Sequence, residues 1–384
     1  MNKDYFPEYG NWIRKNPAAL NMEEKQVKEA IRFAKSHENK LSINNMQMFT
    51  RTASETKEPH DEVLGPVKER GEMSGLIIKD GYIVAEWGDV EKVDLTFSAT
   101  KSYLSAIAGI AWDSGLIKSV SDHVLDYEVD KSIVIARSRK TVNGFDTDQN
   151  RDITWEHLLQ QTSEWEGTLY TKPDIVDWNR NLSFDGMRPS AKSYRYERMK
   201  PGNHWEYNDV RVNRTALALL AVFGESLPKV LSETLMSPIG ASDTWEWHGY
   251  KDHSTVDIDG LVTESVSGGA HWGGGLWIDT LDHARFGMLF LNQGRWGQRQ
   301  LISQRWINMM TTPCDLNDQY GYMWWLNTRH ARYGRHMSES SFAASGAGGN
   351  IVIIDPSKKL VIVTRWCEDV EGVVDLVSQA VNER

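Results

Sequence analysis

The sequence predicts an α/β protein: an antiparallel sheet flanked by terminal helices is built from both ends of the chain, and a mainly helical lobe is inserted between them. Three observations carry this. Strand-like runs joined by turn residues occur at 74–87 and again at 349–364. Helical patterning dominates from 98 to about 260. Amphipathic helices bracket the whole at 22–39 and 370–382. The expected division is an α/β lobe of residues 1–97 and 262–384 and a helical lobe of residues 98–261. A cleft between two such lobes is a common place for a site.

Taken in order, residues 22–39 set Val27, Ala30, Ile31 and Ala34 at helical spacing among charges. The stretch 40–72 is polar and irregular. Two strands then meet at Asp80-Gly81, a strong hairpin signal. Thr154 is an N-cap for a helix through Leu159, and Asp209 to Val222 places Val212, Ala216, Leu219 and Leu220 on one side of another. Gly268, Gly269, Gly273, Gly274 and Gly275 flank His271 and Trp272, a backbone able to approach a ligand closely. Their spacing is neither G-x-G-x-x-G nor G-x-x-x-x-G-K, so nucleotide binding is unsupported. The strands at 349–354 and 360–364 are joined by Asp355-Pro356-Ser357-Lys358. No internal repeat or low-complexity tract is apparent.

The chain has 384 residues, 40% hydrophobic and 25% charged, which is an ordinary globular composition long enough for a large core. A net charge of -10, with scattered Lys and Arg, argues against nucleic acid or an anionic membrane as partner. No apolar stretch has the length of a membrane span, and the N-terminus lacks a signal-peptide pattern, so the expected location is cytoplasmic. Cys314 and Cys367 make no disulfide framework and read as reduced thiols. Sixteen Trp read chiefly as a Trp-heavy core. The oligomeric state is left open.

One stretch concentrates chemistry. Three S-x-x-K patterns occur: Ser54 with Lys57, Ser98 with Lys101, and Ser226 with Lys229. Ser54 lies in a charged loop-like run, and Ser226, after Gly224 and before Pro228, opens a surface helix. Only Ser98 follows a strand-like run and precedes a long apolar helix. There the Lys101 amine, one turn on, reaches the Ser98 hydroxyl, and the free N–H groups of the helix start favour negative charge on a substrate oxygen. Desolvation of the amine eases its deprotonation, which suits it to take the hydroxyl proton. The plain alternative for Ser98 is an N-cap serine. Tyr207, in Pro201-Gly202-Asn203-His204-Trp205-Glu206-Tyr207-Asn208-Asp209, stands just before a helix. A phenol near such a pair can pass a proton to a leaving group; its alternative is a loop anchor.

With these residues in place the chain resembles the serine β-lactamase and penicillin-binding-protein superfamily, in the branch of class C-like esterases, D-amino-acid peptidases and 6-aminohexanoate-dimer hydrolases. The resemblance spans about residues 70–366. Ser98-Ala99-Thr100-Lys101 looks like the first motif, and Tyr207-Asn208-Asp209 like Tyr-x-Asn. Residues 153–163 look like the helix-and-turn signature, with Glu164 where Gly is usual. Residues 235–244 resemble the "PLGM-x-DT" element, 273–287 the Gly-rich turn and following helix, and Ala347-Gly348-Gly349-Asn350 the Lys-Thr-Gly or His-x-Gly position. The resemblance implies a β-lactamase/transpeptidase-like fold. It implies Ser98 as nucleophile, Lys101 and Tyr207 as acid/base pair, the backbone N–H groups of Ser98 and Asn350 as oxyanion hole, and no cofactor.

Two departures bear on substrate. Ala347 stands where lactamases and carboxypeptidases place a cation, and Asp209 replaces the Asn of the second motif. Asp209 either holds Lys101 or favours a neutral or amine-bearing substrate. Tyr170, Asp209, His271, Trp272 and Gly349 are the candidate substrate-binding residues; for Tyr170 and His271 a structural role is the plain alternative. Metal catalysis has little support, since H-E-x-x-H is absent, and a G-x-S-x-G elbow is also absent. The expected activity is hydrolysis of a small ester or amide by a carboxylesterase or amidase. An acyltransferase or a weakly catalytic penicillin-recognising binding protein is the alternative.

Overall fold

The structure, a computed structural model, describes residues 5–40, 60, 62–178, 197–269 and 272–382. Its centre is a six-stranded antiparallel sheet, in which the hairpin β1 (Ser74–Lys79) and β2 (Tyr82–Trp87) lies beside strands from far down the chain. Counting β3 (Asp94–Leu95), β4 (Glu246–His248) and β5 (Gly275–Ile278) as a second sheet, those strands are β6 (Trp325–Leu326), β7 (Phe342–Gly346), β8 (Asn350–Asp355) and β9 (Leu360–Arg365). The order is β6-β7-β8-β9-β1-β2. Leu76 faces Val363 and Ile77 faces Ile362. The β1–β2 turn is made by Asp80 and Gly81, both at positive φ (51° and 87°), the geometry that Asp-Gly favours.

Every residue of β1, β8 and β9 is buried, because both sheet faces are covered. On one face lie α1 (Glu24–Ser36), through Val27, Ala30 and Ala34, and the C-terminal α6 (Val370–Gln379), through Val373, Val374 and Val377. On the other lies α5 (Thr280–Leu291), where a Cβ on Gly287 would stand 2.6 Å from Val361, so the helix backbone rests on the sheet. The α2 helix (Thr100–Asp113) and α4 (Asp209–Phe223) belong to the same core, both nearly buried all round. The short α3 (Trp155–Leu159) is capped by Thr154, as the sequence indicates.

Residues 98–261 are less purely helical than their pattern predicts. Short strands occur at Ile133–Ile135, Thr168–Leu169, Lys172–Pro173, Thr255–Ile258 and in β4. Only two to four residues long, they carry too little alternation to register as strands. Seven tryptophans, Trp155, Trp165, Trp272, Trp277, Trp306, Trp324 and Trp366, are almost wholly buried, in keeping with a Trp-heavy core. Cys314 and Cys367 are buried free thiols. Among the described residues no single helix is long and apolar enough to cross a membrane.

Candidate active site

Ser98 lies in a single 3-10 turn, Phe97–Ala99, that feeds directly into α2. Phe97 takes φ +48°, a left-handed conformation costly for an aromatic residue, and Ser98 is the one partly exposed residue between Asp94 and Ser102. Two glycines pack onto this turn. A Cβ on Gly269 would fall 1.9 Å from the Phe97 carbonyl oxygen, and one on Gly346, at the end of β7, 2.1 Å from that of Thr96. Beneath, the Thr96 hydroxyl and the Tyr103 phenol hydrogen-bond the two nitrogens of His283, at 2.5 and 2.7 Å. Burial pushes the His283 imidazole well below its ordinary range, so it is a neutral strut with one donor and one acceptor.

Lys101 reaches back one helical turn and donates to Ser98 Oγ at 2.8 Å and to the Gly268 carbonyl at 3.2 Å. Its Nζ also lies 2.8 Å from Asp209 Oδ1, in an ion pair whose side chains are 2% and 1% exposed. Gly268 is held in turn: its N–H donates to Asn213 Oδ1 on α4, and Asn213 Nδ2 donates to the Tyr250 phenol. The Asp209 backbone N–H donates to Asp177 Oδ2 at 2.6 Å.

The Tyr207 ring centroid is 4.9 Å from Lys101 Nζ. This ring is 4% exposed and stacks on Trp325 at 5.7 Å, with Trp205 and Tyr320 completing an aromatic wall. Its neighbour Asn208 fixes the chain, capping α4 through Arg211 N–H and donating its own N–H to Gln161 Oε1. Gln161 Nε2 then donates to the Tyr320 phenol, which burial holds well above its ordinary range.

Behind this wall Arg211 pairs with Glu164 (2.8 Å), Asp174 (3.1 Å) and Glu206 (3.2 Å), and Arg198 shares Asp174. Glu164 keeps a left-handed φ of +52° while spending its carboxylate on this network.

The structure therefore brings Ser98, Lys101, Tyr207 and Asp209 together from the starts of two helices. It places others elsewhere. Tyr170 is 4% exposed and packs edge-on against Tyr250, so its side chain is core. The Trp272 side chain is also wholly buried, and its carbonyl accepts from Leu64 and Gly65. His271 lies outside the described residues, as do Ser54 and Lys57. Ser226 precedes the surface helix Leu227–Leu231, where Lys229 pairs with Glu225. Gly349 adopts φ +72°, and a Cβ there would meet the Cys367 carbonyl at 1.8 Å, which explains the glycine by packing.

Asn350 lies at the start of β8. It is fully buried and paired with Gly346 across the β7–β8 turn; its amide donates to Ala347 O and accepts from Arg365. The part of this segment packed onto the Ser98 turn is Gly346, followed by the partly exposed Ala347. Sequence reasoning missed Gly346, Gln161 and Asp177; the Ser345-Gly346 step at a strand end was the available signal for the first.

The sheet with α5 on one face and terminal helices on the other, and a Ser/Lys pair at the head of a buried helix, define the β-lactamase/transpeptidase-like class of fold. The family model described as Beta-lactamase matches residues 73–366, and the chain belongs to that family. A provisionally named D-alanyl-D-alanine carboxypeptidase of Escherichia coli O157:H7 is 24% identical over 338 residues, covering 75% of this chain and 76% of the relative. A provisionally named 6-aminohexanoate-dimer hydrolase from Bacillus anthracis aligns at TM-score 0.53, 17% identity, over 80% of this chain and 77% of its own. EstCE1, described as a hydrolase with promiscuous acyltransferase activity, aligns at TM-score 0.55, 13% identity, over 92% and 98%. At such identities the structural likeness speaks to fold.

Proposed function

We propose that the protein is a serine hydrolase that cleaves an ester or amide bond of a small substrate through an acyl-enzyme on Ser98. The observation that carries this reading is the 2.8 Å contact of Lys101 Nζ with Ser98 Oγ at the only partly exposed position of a strained turn. Ser98 Oγ attacks the carbonyl carbon, and its proton leaves through the Lys101/Tyr207 pair to the departing alcohol or amine. Water then attacks the acyl-enzyme by the reverse proton route, releasing the acid and restoring the Ser98 hydroxyl. The oxyanion donors in this reading are the first-turn N–H of Ser98 and the N–H of Ala347, each worth on the order of 3 kcal/mol to the transition state.

Ester or amide hydrolysis is favoured over β-lactam or D,D-peptide cleavage because 342–350 carries no basic residue to clamp a substrate carboxylate. An acyltransferase would use the same residues with another acceptor, an option favoured by the printed description of EstCE1.

The test is incubation with short p-nitrophenyl esters, a small amide and a chromogenic cephalosporin, with and without an added alcohol. Ester or amide turnover, an acyl mass on the Ser98 peptide, and loss of both in Ser98→Ala are expected. Turnover unaffected by Ser98→Ala would overturn the proposal, and a stable adduct without turnover would turn it into a binding protein.

A further inference from the structure

An ammonium has three N–H donors. Around Lys101 stand three oxygens: Ser98 Oγ at 2.8 Å and the Gly268 carbonyl at 3.2 Å accept hydrogen bonds from it, and Asp209 Oδ1 lies 2.8 Å away as its ion-pair partner. A Ser98 Oγ that accepts from Lys101 directs its own proton elsewhere. The neighbouring acid/base group is Tyr207, whose ring lies 4.9 Å from the same nitrogen. The carboxylate and the amine are both out of solvent and in direct contact, and a buried charge needs a partner of this kind. The backbone that carries Asp209 is held, because its N–H donates to Asp177 and the preceding Asn208 caps α4.

From this geometry we propose that Asp209 is a positioning residue that, acting through Lys101, keeps that side chain a permanent ammonium donor to Ser98 Oγ, so that Tyr207 carries the proton. The proposal rests on the hydrolase reading above and assigns the roles within its acid/base pair. In acylation the Ser98 Oγ–carbon bond forms, the Ser98 proton passes to the Tyr207 oxygen, and the Tyr207 proton passes to the leaving oxygen or nitrogen as its bond to carbon breaks. Lys101 and Asp209 begin and end the step as ammonium and carboxylate. Among the described residues, Tyr320, which feels both charges, and Tyr250 and Asp177 beside Asp209 are ionisable groups near the pair.

The experiment follows the rate at which a fluorophosphonate labels Ser98, read by mass spectrometry from pH 6 to 9, in the full-length protein and in Asp209→Asn, Asp209→Glu and Tyr207→Phe. The expected wild-type rate varies by less than about threefold over this range. In Asp209→Asn the rate is expected to climb about tenfold or more with pH, because a buried amine without its carboxylate sheds its proton more readily. Asp209→Glu is expected to restore the flat profile at a lower rate, and Tyr207→Phe to label about 100-fold more slowly.

Superimposable profiles for wild type and Asp209→Asn after scaling overturn the proposal and leave the hydrolase reading intact. A Tyr207→Phe protein that labels at the wild-type rate also overturns it. Should Asp209→Asn fail to fold, the Asp209→Glu profile and the Tyr207→Phe rate decide. No labelling of Ser98 in the wild type overturns the hydrolase reading itself, and this proposal with it.

Discussion

Arg211 and Glu164 are ion-paired at 2.8 Å with side chains 2% and 0% exposed, and the pair joins the turn after α3 to the first turn of the helix that begins at Asp209. Removing one member of such a pair leaves the other buried and uncompensated. Arg211→Met is expected to lose about 3–5 kcal/mol of unfolding free energy, measured by urea titration. Esterase activity is expected to fall with it, since the Tyr207 segment leans on the same network. A loss within about 1 kcal/mol would show that the network contributes little to stability.

The close approach of Gly346 to the Thr96 carbonyl leaves no room for a methyl group. Gly346→Ala must push β7 away from the Ser98 turn, because the blocking atoms are backbone. A cost of about 1–3 kcal/mol is expected from overpacking. The rate of Ser98 acylation is expected to fall about 100-fold, since small misplacements are severe at a reacting centre. A stopped-flow burst with a p-nitrophenyl ester separates the two effects.

Tyr207→Phe is expected to discriminate between leaving groups. Nitrophenolate departs without a proton, whereas an amine must receive one. The amide rate is therefore expected to drop toward the upper end of the general-acid range, about 10⁴-fold, and the p-nitrophenyl ester rate toward its lower end, about 10²-fold. Equal losses on both substrates would remove Tyr207 from the leaving-group step.

Asp279, the N-cap of α5, is raised from 3.8 to about 7 by its burial and then by the neighbouring Asp282 charge. A carboxyl that holds its proton more tightly folded than unfolded contributes stability at low pH, and that contribution is lost as pH rises through the folded value. Wild-type stability should thus carry a downward term between about pH 4 and 7. Asp279→Asn, which retains a cap acceptor for Asp282 N–H, is expected to be relatively more stable at pH 7 than at pH 4. Parallel stability curves for the two proteins would remove Asp279 as the source.

What the sequence made legible was local. The Asp80-Gly81 turn, the cap at Thr154, the Ser98/Lys101 spacing and the Tyr207 segment each follow from a few adjacent residues. Long-range partners were hidden: nothing in the order of residues announces that Arg211 meets Glu164, or that Gln161 holds both Asn208 and Tyr320. The packing of residues 346–350 was hidden for a related reason. A β-turn of glycines has no side-chain period, so which residue of 346–350 packs on the Ser98 turn is set by strand register. Tyr170 looked like a loop residue because the strands around it are two residues long.

Lys79 pairs with Leu360, and the wall opposite Ser98 ends at Gly346, so the nucleophile and its surroundings come from segments made at very different moments of synthesis. While the ribosome is still translating the middle of the chain, Ser98 and Lys101 exist without the backbone that will face them. Non-local strand pairing of this kind closes late. The arrangement of Ser98 against Gly346 is therefore complete only when the sheet is.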